Sequence, residues 1–116
     1  MKVLVIEDEP VVREMLNDML SDEGYEVTTA QSGEDALNVL EEKKVDYIVS
    51  DLMMPGISGV ELLYKLRAFK VPIIITSGLS RDVIIEELLA ELGISAVLQK
   101  PIEEGGLVNA LRKARA

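Results

Sequence analysis

Residues 3–10 read Val-Leu-Val-Ile-Glu-Asp-Glu-Pro, and this short stretch sets the frame for the whole chain. Four apolar residues, three of them β-branched, run without polar relief, the pattern of a strand covered on both faces. The run stops on Glu7, Asp8 and Glu9. Pro10 then suits a first helical position, where its missing N–H has no intrahelical partner to lose. Behind it the stripe Val12, Met15, Leu16, Met19 and Leu20 repeats at helical spacing and predicts core packing for both methionines. Gly24 follows where a left-handed residue commonly ends a helix. A buried strand, an acidic turn and a helix make one strand–helix unit.

The same unit recurs along the chain. Strands are expected over Lys2–Ile6, Glu26–Thr29, Tyr47–Ser50, Pro72–Thr76 and Ala96–Leu98. Helices are expected over Pro10–Ser21, Gly33–Glu42, Val60–Phe69, Arg81–Leu92 and Glu103–Arg115. Ser32 with Asp35 three residues on forms a capping pattern before Ala36, Leu37 and Leu40. Gly93 ends the fourth predicted helix as Gly24 ends the first. Alternating buried strands and helices imply a doubly wound α/β fold, a parallel sheet with helices on both faces. No linker or low-complexity tract interrupts the 116 residues, so one domain over 1–116 is expected.

Composition narrows the chemistry. The chain has no cysteine and no histidine, which excludes thiolate nucleophiles, imidazole metal sites and histidine bases. Carboxylates, hydroxyls, lysines and the backbone remain. Twelve Lys+Arg against 21 Asp+Glu give a formal charge of −9, a surface that repels nucleic-acid phosphate. No apolar run is long enough to span a bilayer and the N-terminus lacks a signal-peptide layout, so a cytoplasmic protein without membrane insertion is expected.

In an open parallel sheet, ligands bind beyond the carboxyl ends of the strands. Glu7 and Asp8 follow the first predicted strand, Asp51 follows the third, Thr76 ends the fourth and Lys100-Pro101 follows the fifth. Only the second, ending in Ala30-Gln31-Ser32, offers no obvious functional group. Carboxylates crowded in a desolvated crevice repel one another unless a proton or a cation intervenes. An all-oxygen donor set favours Mg²⁺, and a lysine beside it suits an arriving anion. A carboxylate, Mg²⁺ and a lysine around an anion site describe phosphoryl transfer to a carboxylate, with Asp51 as nucleophile on the central strand.

The motifs Val-Leu-Val-Ile-Glu7-Asp8-Glu-Pro, Ser-Asp51-Leu-Met-Met-Pro55-Gly56, Ile-Ile-Ile-Thr76-Ser77 and Lys100-Pro101 together resemble the receiver domains of two-component response regulators, over essentially the whole chain. The resemblance implies a flavodoxin-like (βα)5 fold with strand order 2-1-3-4-5. It implies that Asp51 accepts phosphate, that Glu7, Asp8, Asp51 and the Met53 carbonyl hold Mg²⁺, that Thr76 is the switch hydroxyl and that Lys100 binds the phosphoryl group. It also implies a cis Lys100-Pro101 bond, a phosphohistidine donor on a sensor histidine kinase or phosphotransfer protein, and an effector protein or domain downstream. One position departs from the pattern: Val97 stands where the family usually has Tyr or Phe, so switching is expected to rest on the loop after Thr76 and the helix around Val83–Leu92.

Plainer readings stand beside these. A lone aspartate after a strand is usually a cap or loop residue, and only the company of Glu7, Asp8, Thr76 and Lys100 lifts Asp51 above that. Glu9 reads as a helix cap near Pro10, outside the site. Pro55-Gly56 reads as a tight turn shaping the loop after Asp51, in support of the site. The wide stripe Ile84, Ile85, Leu88, Leu89 and Leu92 reads first as core, with a partner-binding face as the alternative. Two other functions compete. A dehalogenase-type phosphohydrolase would place a second Asp two residues after its nucleophile behind the first strand, where this chain has Glu7-Asp8-Glu9. A flavodoxin-like cofactor binder would want a Ser/Thr/Gly-rich phosphate loop there, and an acidic loop repels phosphate. Sixteen residues follow Lys100, room for one final helix, an ending that fits a stand-alone receiver and a piece of a longer protein alike.

Overall fold

The structure, a computed structural model, describes residues 1–51, 59–78 and 94–115. The strands are β1 (Lys2–Ile6), β2 (Glu26–Ala30), β3 (Tyr47–Asp51), β4 (Ile73–Ser77) and β5 (Ile94–Gln99), all parallel, in the order β2-β1-β3-β4-β5. The helices described are α1 (Pro10–Asp22), α2 (Gly33–Glu42), α3 (Gly59–Arg67) and a C-terminal helix (Glu104–Arg115). The doubly wound sheet and its strand order are as expected. The predicted helix over Arg81–Leu92, its apolar stripe and Gly93 lie outside the described residues.

Strand alternation divides the core in two. Leu4, Ile6, Ile48, Ile73 and Ile75 point to one face, against Ala36 and Leu40 of α2 and Leu62, Leu63 and Leu66 of α3. Val3, Val5, Val49 and Ile74 point to the other, against Leu16 and Leu20 of α1 and Leu107, Ala110 and Leu111 of the C-terminal helix. The inner strands β3 and β4 are buried throughout, whereas the edge strands β2 and β5 are only partly covered. That contrast accounts for the boundary of β5. The expected span Ala96–Leu98 extends to Ile94–Gln99 because Ser95 and Gln99 face outward on an edge and carry no apolar signal. Val97 is half-buried beside the first core half and pairs with Ile75.

Helix ends follow their local chemistry, with two corrections. Ser32 Oγ accepts from the Asp35 amide at 3.1 Å while Asp35 Oδ2 accepts from the Gln31 amide at 3.3 Å, a reciprocal cap. Gly24 takes φ +90°, as its position after α1 requires. Glu9, expected to cap α1, stands at the N-cap without a side-chain bond, so the helix starts on Pro10 alone. Met19 packs against the core, but Met15 is exposed because it lies on the margin of the stripe centred on Leu16 and Leu20.

Candidate functional site: an acidic crevice at the carboxyl edge of the sheet

Glu7 follows β1 directly and is fully buried, with its amide donating to the Ala30 carbonyl at 3.0 Å. This bond carries the β1–β2 ladder one residue past the strand and fixes where the acidic turn begins. Asp51 ends β3 and is 5% exposed; across the ladder it pairs with Thr76 of β4, itself buried. Ser77 is buried as well, and its carbonyl accepts from the Lys100 amide at 2.8 Å, which anchors the lysine backbone just beyond β5. The Lys100-Pro101 bond is cis.

The side chains converge. Lys100 Nζ donates to Glu7 Oε1 and to Asp51 Oδ2, each at 3.0 Å. One carboxylate oxygen from each of Glu7, Asp8 and Asp51 lies within 4.8 Å of the others. Glu7, Asp8, Asp51 and Lys100 are thus brought to one crevice, with buried Thr76 in register beside Asp51. Met53, Pro55 and Gly56 lie outside the described residues.

The electrostatics are unbalanced by design of the strand ends. Among the described residues, the three clustered carboxylates share the Lys100 ammonium, with the Arg13 guanidinium bonded to the turn that carries two of them. Burial, then the neighbouring Asp51 carboxylate, push the Glu7 pKa up to about 7 against the pull of Lys100. Burial alone would pull the Lys100 ammonium down, but its hydrogen bonds and charge pairing with Glu7 and Asp51 outweigh that and hold its pKa above the ordinary lysine value. A hard divalent cation is the natural remedy. The donor set fits Mg²⁺, since it offers only oxygens, clustered and with one side open to solvent through half-exposed Asp8.

Sequence reasoning missed Arg13. From the first turn of α1, its Nη1 donates to the Glu7 carbonyl at 3.0 Å and, more weakly, to the Asp8 carbonyl at 3.5 Å. An arginine within a helix carries no sequence signal for a contact to backbone oxygens behind it.

Comparison with known proteins agrees with this geometry. Residues 3–112 match the profile of the response regulator receiver domain. Among curated relatives, the sensor histidine kinase RcsC of Escherichia coli K12 is 36% identical over 106 residues, covering 88% of this chain and 11% of that protein. The transcriptional regulatory protein AfsQ1 of Streptomyces coelicolor is 37% identical over 102 residues, covering 87% of this chain and 45% of that protein. The chain therefore spans less than half the length of these relatives. Among solved structures, the chemotaxis response regulator CheY4 of Vibrio cholerae superposes with a TM-score of 0.87 at 30% identity, over 97% of each chain. The response regulator TrrA of Thermotoga maritima, determined in complex with Mg²⁺-BeF, superposes with a TM-score of 0.82 at 31% identity, over 97% of each chain. A parallel sheet in the order 2-1-3-4-5, an acidic crevice at its carboxyl edge and a profile match across nearly the whole sequence make this chain a member of the response regulator receiver family of two-component systems.

Proposed function

We propose that the chain, as one receiver unit over residues 1–116, is a phospho-accepting switch in which Asp51 takes a phosphoryl group. The observation that carries this reading is the Lys100 ammonium, 3.0 Å from both Glu7 and Asp51, in a crevice with three clustered carboxylates. Glu7, Asp8, Asp51 and the Met53 backbone carbonyl would hold Mg²⁺, and the ion would supply charge neutralisation for the phosphoryl oxygens.

An Asp51 carboxylate oxygen attacks phosphorus while the P–N bond of a phosphohistidine breaks. The electron pair stays on the departing imidazole, which takes a proton from solvent. Lys100 leaves its carboxylate partners to face the incoming phosphoryl oxygens, and the Thr76 hydroxyl hydrogen-bonds one of them. Water later attacks the same phosphorus, the P–O bond to Asp51 breaks, and inorganic phosphate leaves as the carboxylate is restored. The domain thus promotes its own phosphorylation and dephosphorylation without turning over a separate substrate.

Ser77 and Pro101 support the site by fixing the Lys100 backbone, and Pro55 and Gly56 by shaping the loop after Asp51. With Val97 in place of an aromatic, the signal passes through the loop after Thr76 to the segment 81–92, β5 and the C-terminal helix. The donor is a sensor histidine kinase or phosphotransfer protein and the recipient an effector protein or domain, in the cytoplasm. No direct nucleic-acid contact is assigned to this acidic chain. No described helix is long and apolar enough to cross a membrane, and no membrane insertion is assigned.

Mg²⁺ with beryllofluoride, a phosphoryl mimic, should shift the NMR signals of residues around Asp51 and Thr76. Asp51→Asn should abolish the response; an identical response from that variant would sink the proposal.

A further inference from the structure

We propose that Arg13 is a positioning residue for the metal site: its guanidinium clamps the turn after β1 so that the Glu7 and Asp8 carboxylates stay converged for Mg²⁺. The inference rests on the functional reading above.

Three consecutive carbonyls end on this one residue. The Arg13 side chain reaches those of Glu7 at 3.0 Å and Asp8 at 3.5 Å, while its backbone amide donates to that of Glu9 at 2.9 Å. The turn needs such a tie. Glu9 provides no side-chain cap for α1, and Pro10 fixes its own φ but contributes no N–H, so no hydrogen bond from an N-cap side chain ties this helix entry to the turn before it. Asp8 is only half-buried, and besides the clamp its turn is held by its own amide donating to Glu7 Oε2 at 3.2 Å. That bond engages a Glu7 carboxylate oxygen, whereas the clamp uses only carbonyls and leaves every carboxylate oxygen available. Groups that orient metal ligands from behind commonly govern affinity in this way.

The sign of the effect separates this role from simple electrostatics. A guanidinium near the crevice repels a divalent cation, so a purely through-space role predicts tighter Mg²⁺ binding once the charge is removed. The clamp predicts weaker binding.

The full chain, its Arg13→Met variant and its Arg13→Lys variant are titrated with Mg²⁺ alone by calorimetry. Amide exchange of residues 7–9 and urea midpoints are recorded on the metal-free proteins. Arg13→Met should bind Mg²⁺ roughly tenfold more weakly, at the low end for loss of a ligand-supporting group. Its amides at 7–9 should exchange faster while the urea midpoint moves little. Arg13→Lys, with a single point donor in place of the fork, should fall between the two. Affinity in Arg13→Met equal to or above that of the parent overturns the clamp; should that variant fail to fold, parental affinity in Arg13→Lys overturns it equally. A parent that itself binds no Mg²⁺ overturns the functional reading instead.

Discussion

At the N-terminal end of the sheet, Asp46 Oδ2 accepts from the Lys2 amide at 2.7 Å in contact with water, and the Asp46 amide donates back to the Lys2 carbonyl at 2.8 Å. At the opposite end, Glu7 and Asp51 are buried and share one ammonium at 3.0 Å. Both ends use carboxylates, yet the physics differs. The exposed aspartate keeps most of its hydration and closes a loop at small cost. The buried pair has given up hydration and, among the described residues, shares a single ammonium, so mutual repulsion remains that a cation or a proton can relieve. One end of the sheet is finished; the other is arranged for a ligand.

The sharpest break of this contrast is Lys100→Met. It should slow Mg²⁺-dependent phosphorylation by a small phosphodonor about 100-fold, the scale for losing one charge-stabilising donor. It should also lower metal-free stability near neutral pH by about 3 kcal/mol, because two buried carboxylates lose their partner. Rates and urea unfolding equal to the parent would show the ammonium to be a bystander.

Next in size is a pH effect. Glu7 holds its proton up to about pH 7 in the folded chain against 4.5 for an ordinary glutamate. Its stabilising contribution is therefore fully present below the lower value and is lost as pH rises through the upper one. Relative to Glu7→Gln, which does not titrate, the metal-free parent should lose on the order of 1–3 kcal/mol between the two ends of that window. Saturating Mg²⁺ should remove that loss for the parent. Parallel pH profiles for the two proteins in EDTA would contradict a buried, crowded Glu7.

Smaller effects sharpen the comparison from the finished side. Ser32→Ala should cost about 1 kcal/mol in urea unfolding through loss of the α2 cap. Asp46→Ala should cost about 0.5–1 kcal/mol, the range for an exposed hydrogen bond. Neither should change Mg²⁺ affinity by calorimetry, and a change from either would mean that the two ends communicate.

Much of this was legible in the sequence because strands buried on both faces advertise themselves, and because the polar residues at their ends stand out against apolar runs. The ladder refined those ends. Asp51 and Ser77 pair in register with Thr76 and Gln99 and so belong to their strands, whereas a reading by hydropathy stops one residue earlier at each polar side chain. The convergence of Glu7, Asp8 and Asp51 followed from topology, since β1 and β3 are neighbours, whereas Lys100 reaches them from beyond β4. Which carboxylates Lys100 would touch did not follow, because side-chain reach across two strands depends on register. Arg13 was invisible for a related reason: its partners are backbone carbonyls, which every residue type presents. Glu9 misled because a cap is decided by dihedral angles and side-chain rotamer as well as by residue type.

Glu7 and Lys100 are 93 positions apart in the chain, and Asp51 lies 49 positions before the lysine. The crevice is thus assembled from both ends of the chain and its middle. A fragment ending before residue 100 would keep the Glu7, Asp8 and Asp51 carboxylates and lack the ammonium that bridges two of them. The contact therefore forms late in any order of assembly, since almost the whole chain lies between its two partners.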